Sequence, residues 1–547
     1  MRLVPVSEKR VDRLVHTINA RTRAIRHVAT RWRTIGWTRP ALNLVGHHRR
    51  RIWITGPRVH LESRSPSHPH FPAFVATLRD LLSDAEGVRW VGVNALLGRV
   101  VIELDGRIDV PALEHILEHA EVLHGLEGVP FSGDEAEHPA DLEPLLRTTL
   151  ELGSSLASFG IGLVFRVVDY HPPEGIGHVS RLLTVVDNTP RLRRLLEKRV
   201  GPVGTDLGLS LIQAGLHAVT GNFISSLVNA TYRAVQLLEG VGRFGTWERW
   251  EPRLHRDPAQ MPSEAREVRR PVPLPNGPVE AYSEDAWYAS LGGFAVGVAD
   301  THSLKRAISP ILDVVPKPAR LGRETFAAFL GLELAGRDIL CLQPAALRLL
   351  DRVDCIVMQE RLLFTGMLTI SKVIPLGHHS TAELARHLSA LFQPDMGETI
   401  RHERGWRLGP LAQLDLNIDD NTADRIRALN HGPTPVLGLA YRDRIRALVQ
   451  TKLAADPATD DLIAKIRHIG HQLVIAYEDE TVAELLKPDL LVPDGPALAN
   501  TVQELQRDGR VVCVIARGDV PAFAGADCAI ALYRPEEPIA WSAHILC

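Results

Sequence analysis

Hydrophobic positions along this 547-residue chain change period several times, and each change predicts a change of element. From Arg51 to about Gly125 the order reads strand, helix, strand, strand, helix: RIWITGPRVHLE, FPAFVATLRDLL, VRWVGVNAL, GRVVIELDG and VPALEHILEHAEVL. Alternation with β-branched residues marks the strands, and apolar spacings of three and four mark the helices. Between Asp141 and Asp300 lie three weakly apolar stretches, LGSSLASFGIGLVFRVV, LGLSLIQAGLHAVTGNFISSLVNATYRAVQLL and WYASLGGFAVGVA. A membrane-spanning helix takes ~20 mainly apolar residues, and each stretch is either shorter than that or broken by Arg, His, Gln or Asn. Their Gly, Ala and Ser content suits close helix packing, in a soluble bundle or in a membrane bundle with polar residues turned inward. The polar, Pro-rich TWERWEPRLHRDPAQMPSEAREVRRPVPLPNGP between the second and third predicts a loop or linker.

Composition narrows the class. Hydrophobic residues make up 45% and charged residues 23%, which describes folded protein and excludes a disordered chain or one made mostly of apolar spans. A net charge of −3 hides a basic start, because Met1 to Arg51 carries thirteen Lys or Arg against two acids, Glu8 and Asp12. Residues 1–50 read as a basic amphipathic arm, with Leu14, Ile18, Ile25, Val28 and Trp32 on its apolar side. Such an arm suits an anionic membrane surface, and no nucleic-acid partner is expected. Five cysteines, Cys341, Cys355, Cys513, Cys528 and Cys547, lack C-x-x-C spacing and fit no disulfide framework, so a reducing compartment is expected. The basic start has no apolar core of a signal peptide.

The element order over residues 51–125 resembles the small ferredoxin-like heavy-metal-associated domain that precedes many metal-pumping P-type ATPases. In that family two cysteines in the loop after the first strand hold a soft metal as thiolates. Here the loop is ESRSPSHPH and holds none. His68 and His70, with His60 close by in sequence, are the weak metal candidates that remain, and the metal-carrier function is expected to be lost.

From about His302 the likeness to the P-type cation-transporting ATPases becomes specific. Their approach to the phosphorylation site reads roughly L-x-x-V-D-x-h-x-h-D-K-T-G-T-L-T, with h apolar, and this chain has ALRLLDRVDCIVMQERLLFTG from Ala346 to Gly366. Leu350, Val353, Asp354, Ile356 and Met358 match. The nucleophile position then holds Gln359 and the lysine position Glu360, with Thr365 surviving beyond. An amide has no anionic form with which to attack a γ-phosphorus, so the resemblance implies no phosphoenzyme at Gln359 and a weakened hold on magnesium. VLGLAYRDRIRALV, from Val436 to Val449, resembles the strand and turn that re-enter the phosphorylation domain, which leaves about 367–435 for a shrunken nucleotide-binding insertion. DLIAKIRHIGHQLVIAYEDETVAEL places Tyr477, Glu478, Asp479 and Glu480 where the family has T-G-D-N, and keeps Asp479 alone. VQELQRDGRVVCVIARGDVPAFAGADCAIAL, from Val502 to Leu532, resembles the family's hinge, with Asp519, Pro521, Ala522, Ala526, Asp527, Ile530 and Ala531 in one register. The first hinge aspartate falls at Ile515, or at Arg517 when counted forward from Gly509. Neither is an acid.

These readings predict an α/β chain: the arm, a ferredoxin-like domain at 51–125, a helical region at 141–325 with membrane-associated character, and a degenerate HAD-like doubly wound domain at 326–547. The resemblance implies a catalytically degenerate module of a cation-transporting P-type ATPase, the N-terminal half of the large actinobacterial type, structural or regulatory in role. It would sit at the cytoplasmic face of the cell membrane beside an active pump half or subunit. No cofactor is expected; Mg and ATP belong here only if the family activity is retained. Two rivals stand beside it. An active ATP-driven cation transporter needs a nucleophile other than Gln359, and a soluble binding protein with a basic arm needs no transport at all.

Overall fold

The computed structural model describes residues 50–547 apart from 65, 107–108, 132–137, 169–201, 221–222, 265–267, 283–316, 378, 397–398, 415, 417–433 and 479–485, within which a few isolated positions are placed. Residues 1–49 of the basic arm, the WYASLGGFAVGVA stretch and Asp479 lie outside the described residues. The chain is mixed α/β and divides into two compact units, one of residues 1–269, 275–352 and 528–547, the other of residues 270–274 and 353–527.

The first unit opens with an antiparallel sheet in the order β1-β2-β4-β3. Alternation predicts one strand from Arg51 to Glu62, but β1 (Ile52–Thr55) and β2 (Arg58–Glu62) form a hairpin. Gly56 takes a left-handed φ of 53° in the turn and Pro57 follows, which breaks the strand. Helix α1 (Phe71–Ser83) leads to β3 (Val88–Asn94) and β4 (Arg99–Leu104), and α2 (Val110–Leu123) follows with the Asp109 carboxylate accepting from the Ala112 N–H as its cap. Leu61, Phe71, Phe74, Leu78, Leu82, Ile102 and Leu117 form the core between sheet and helices, each worth roughly 1.5–3 kcal/mol on full burial.

Long helices come next: α3 (Glu143–Val167), α4 (Pro202–Val219), α5 (Phe223–Leu254) and α6 (Lys317–Gly336). Helix α3 starts well before its apolar letters and reaches 25 residues, about 37 Å at 1.5 Å per residue. It is long and apolar enough to cross a membrane, which corrects the expectation that every apolar stretch falls short. The Ser158 hydroxyl ties three helices together, donating to the Ala214 carbonyl at 2.7 Å and lying 2.9 Å from Ser226 Oγ. Helix α5 runs on through TWERWEPRL, where the polar, proline-bearing text predicts a linker. Trp247 and Trp250 are buried there, and Pro252 falls in the last turn, where it breaks little. Arg243 of α5 donates to the carbonyls of Cys341 (2.9 Å) and Leu342 (2.6 Å), fixing the short strand β5 (Leu340–Cys341) against the helix.

In the second unit four parallel strands stand in the order β13-β12-β6-β14. They are β6 (Cys355–Gln359), β12 (Gln472–Tyr477), β13 (Leu490–Pro493) and β14 (Val512–Arg517). Val474 and Val514 flank Val357, and the apolar runs of the three strands they belong to follow from burial on both faces. The chain moves from β6 to β12 and β13 on one side and returns as β14 on the other. Strand order therefore reverses at β6, and the carboxyl ends beside such a switch point are where open α/β sheets place ligands.

Between β6 and helix α8 (Thr459–Ile469) an antiparallel sheet is inserted, in the order β7-β11-β10-β9-β8. Its strands are β7 (Phe364–Pro375), β8 (Arg401–Glu403), β9 (Trp406–Pro410), β10 (Val436–Tyr441) and β11 (Arg444–Ala455), with α7 (Thr381–Leu391) packing Leu384 and Leu388 onto Trp406, Leu439 and Val449. Val436 to Val449 is thus a hairpin within the insertion and not the return to the parallel sheet. The insertion runs from Phe364 to Ala455, beyond the 367–435 expected, because β7 and β11 pair along their length from Ala455↔Phe364 to Ala447↔Pro375.

Candidate functional site

The switch point at β6 places Gln359 at the strand's carboxyl end, 2% exposed. Its amide is bonded through both its nitrogen and its oxygen. Nε2 donates to Asp494 Oδ2 at 2.8 Å, while Oε1 accepts from the Arg517 backbone N–H at 2.8 Å and from Arg361 Nε at 3.1 Å. Arg361 also donates through Nη2 to the Arg517 carbonyl at 2.6 Å. The ends of β6, β13 and β14 are therefore laced together by one neutral amide, an aspartate and a guanidinium. A buried carboxylate at position 359 would face Asp494 without the N–H that now satisfies it. Glu360 is buried beside it, and its Oε2 accepts from the Glu478 N–H at 3.1 Å.

Among the other described residues singled out from the sequence, Thr365, Asp519, His68 and His70, none hydrogen-bonds to Gln359. Thr365 lies on β7, its hydroxyl donating to the Ala454 carbonyl at 3.1 Å and accepting from the Met367 N–H, a bond set that pins the root of the insertion. Asp519 follows β14, and partial burial raises its carboxyl above the ordinary aspartate range. Half-buried His68 and exposed His70 stand at the start of α1 with rings 5.2 Å apart. Both Nδ1 atoms are spent on the backbone: His68 Nδ1 accepts from the His70 N–H, and His70 Nδ1 is 3.0 Å from the His124 carbonyl oxygen.

Two acids that match the family pattern have structural duties. Asp354 Oδ1 accepts from the Val511 N–H at 2.8 Å as the chain enters β14. Asp527 accepts from the Val512 N–H at 2.8 Å and from Gln506 Nε2 at 3.2 Å, and pairs with Arg270. Sequence reasoning passed over Asp494 and Arg361 as partners of Gln359. Asp494 stands right after the apolar LLVP of β13, and an acid at the end of a buried parallel strand is the available signal.

No protein-family model matches the chain. The curated "Probable cation-transporting ATPase I" of Mycobacterium leprae (strain TN) is 26% identical over 562 residues, covering 90% of this chain and 33% of that protein. Its namesake in Mycobacterium tuberculosis (strain ATCC 25618 / H37Rv) is 25% identical over 558 residues with the same coverage. The chain spans about a third of the length of the curated relatives it matches. Among solved structures it is similar to a zinc-transporting PIB-type ATPase in the E2.Pi state, at 12% identity, 73% of this chain, 88% of that chain and a TM-score of 0.38. It is also similar to the catalytic CPx-ATPase domain CopB-B, at 15% identity, 39% and 91% coverage and a TM-score of 0.23. Over 90% of its length the chain is similar to curated proteins named "Probable cation-transporting ATPase I", in line with the resemblance that the motifs from His302 onward carry.

Proposed function

We propose that this chain is a catalytically silent, membrane-associated module of a cation-transporting ATPase system, with a structural or regulatory role beside an active pump half or subunit. The observation that carries the proposal is the locked Gln359 amide. Phosphoryl transfer needs an oxygen nucleophile aligned on the γ-phosphorus and magnesium to neutralise the phosphate. Gln359 offers an amide already bonded on both of its ends, and the Arg361 guanidinium stands 3.1 Å from its oxygen. Magnesium prefers oxygen donors with carboxylate among them, and a fixed cation at the strand end repels it. The residues present therefore do not suit Mg-ATP. The parallel sheet with its inserted antiparallel sheet is read as a HAD-like core and a reduced nucleotide-domain remnant. The β1-β2-β4-β3 sheet is read as a ferredoxin-like unit whose outer strand comes from the preceding hairpin arm.

Membrane association rests on the polarity of the helices. Along α3 the buried positions include Glu143, Glu151, Ser155 and Ser158, while Leu156 (51% exposed), Val164 (57%) and Val167 (80%) face outward. Glu151 is paired inside with Arg233 of α5 at 2.9 Å. Ile224, Leu227 and Val228 of α5 are likewise exposed. Polar inside and apolar outside suits hydrocarbon, where interhelical packing relies on small residues and polar contacts, and is costly in water.

Steady-state hydrolysis of ATP by the purified full chain, assayed with a panel of mono- and divalent cations, tests the silent reading. The expected rate equals that of the Gln359→Ala variant. A cation-stimulated, vanadate-sensitive rate above that baseline overturns it. Carbonate washing tests the other half: the protein should stay in the membrane pellet, and release into the supernatant refutes embedding.

A further inference from the structure

In the first unit a buried cluster carries donor chemistry that nothing above uses. His60 comes from β2, Glu251 from the last turn of α5, and His255 stands four residues on, which puts the last two on one face of the helix end. His60 Nε2 lies 3.1 Å from Glu251 Oε1, and His255 Nδ1 lies 3.5 Å from the same oxygen. The two imidazole rings are 5.0 Å apart and almost perpendicular. One ligand atom from each residue can be chosen so that all three lie within 4.8 Å of one another. A tetrahedral ion with bonds of ~2.1 Å to nitrogen and oxygen sets its donors on the order of 3.4 Å apart, and the two measured edges straddle that separation.

The surroundings favour a bound ion over a chance meeting of side chains. All three residues are buried, and Trp53, Trp247 and Trp541 wall the cluster, with ring centroids 4.7 Å from His60, 5.7 Å from His255 and 5.4 Å from His255 respectively. His138 is buried 6.1 Å from the His60 ring, and its Nε2 and His60 Nδ1 have no hydrogen-bond partner. A buried nitrogen left without a partner is costly, and a ligand that engages it relieves that cost. Arg58 grips the Glu251 carboxylate, donating at 2.8 Å to Oε1 and 2.9 Å to Oε2, and its own charge is balanced by Glu103 at 3.2 Å. A ligating carboxylate is ordinarily oriented by such an outer partner, and its oxygens have lone pairs left for a metal.

We propose that His60, Glu251 and His255 form a binding site for a borderline divalent transition-metal cation of the Zn2+ or Co2+ kind, with His138 as the candidate for its fourth position. Two imidazoles and one carboxylate select such ions over Mg2+ and Ca2+, which prefer oxygen donors throughout. The site belongs to residues that the silent-module reading does not involve, so either can fail alone.

The test uses the full chain, purified in detergent and stripped with a chelator, and Co2+ as the probe. Titration should develop the visible ligand-field absorption of four-coordinate Co2+, saturating at one equivalent, and Zn2+ should displace it. His60→Gln and His255→Gln should each weaken Co2+ binding by 100-fold or more, while the surface variant His68→Ala/His70→Ala should bind as the wild type does. Absence of the band, its persistence in both single variants, or its loss in the surface variant overturns the proposal. Should the single variants not fold, the wild type alone decides: no Co2+ band and no rise in thermal midpoint on adding Zn2+ refute it.

Discussion

Replacing Gln359 by Glu changes one NH2 group into an oxygen and leaves shape almost untouched. The new oxygen lies where Nε2 now donates to Asp494 at 2.8 Å, so two carboxylates meet. Ionising both costs about 6 kcal/mol at that distance with an effective dielectric constant of about 20. Keeping one protonated at pH 7 is cheaper: roughly 1.4 kcal/mol per pH unit above an ordinary Glu value near 4.3, or about 3.7 kcal/mol, after which the acid O–H again donates to Asp494. The Oε1 contacts from Arg517 and Arg361 are retained. Because the folded pair then holds a proton that the unfolded chain releases, stability relative to wild type is intact below about pH 4 and is lost as pH rises through 7. For a unit of this size that penalty lowers the melting midpoint by about 7–14 °C at pH 7. Scanning calorimetry from pH 4 to pH 8, with Gln359→Ala as a variant whose penalty is flat with pH, reads it out. Wild-type stability at pH 8, or a penalty that grows on acidification, refutes the assigned network.

Asp527→Ala leaves the Val512 N–H without its acceptor and Arg270 without its counter-charge, and should destabilise the second unit by about 3–5 kcal/mol in denaturant unfolding; a loss below about 1 kcal/mol contradicts the structural role given to that acid. Asp519 has its carboxyl raised by burial, so its folded form holds a proton longer than the unfolded chain and it loses stability as pH climbs above the ordinary aspartate value. Asp519→Asn should therefore match or exceed the wild type in melting midpoint at pH 7 and converge with it near pH 4, and a lower midpoint at pH 7 would show that the carboxylate is being used. Burial pushes the Cys341 and Cys355 thiols up to about 12, and Cys513 and Cys528 are also buried. Brief alkylation of native protein should label Cys547 first and all five only after unfolding; mass spectrometry showing early labelling of Cys355 contradicts the packing of β6.

Much of the parallel sheet was legible because buried parallel strands write themselves as apolar runs: CIVMQ, QLVIAY and VCVIAR stand out with no help from long-range contacts. The antiparallel insertion was harder, since β7 and β11 alternate over a half-exposed surface and Val436 to Val449 carries the same apolar signature whichever sheet receives it. Proline misled the reading at α5, where Pro252 suggests a break but two buried tryptophans hold the helix to Leu254. Gln359 was singled out from its neighbours in the motif, and it stands at the carboxyl end of β6. Its partners were not singled out, because Asp494 lies 135 residues away and Arg517 158, and hydrogen bonds across strand ends leave no local pattern. The same holds for His60, whose meeting with Glu251 spans 191 residues.

On the proposed reading, an amide bonded at both its nitrogen and its oxygen occupies the place of a phosphate-accepting acid. Brief incubation of the purified chain with Mg2+ and γ-labelled ATP, followed by acid quench and gel autoradiography, tests it most directly. No acid-stable label is expected in the wild type at any cation composition. A hydroxylamine-labile acyl phosphate mapping to Glu360, Asp494 or Asp519 would contradict it.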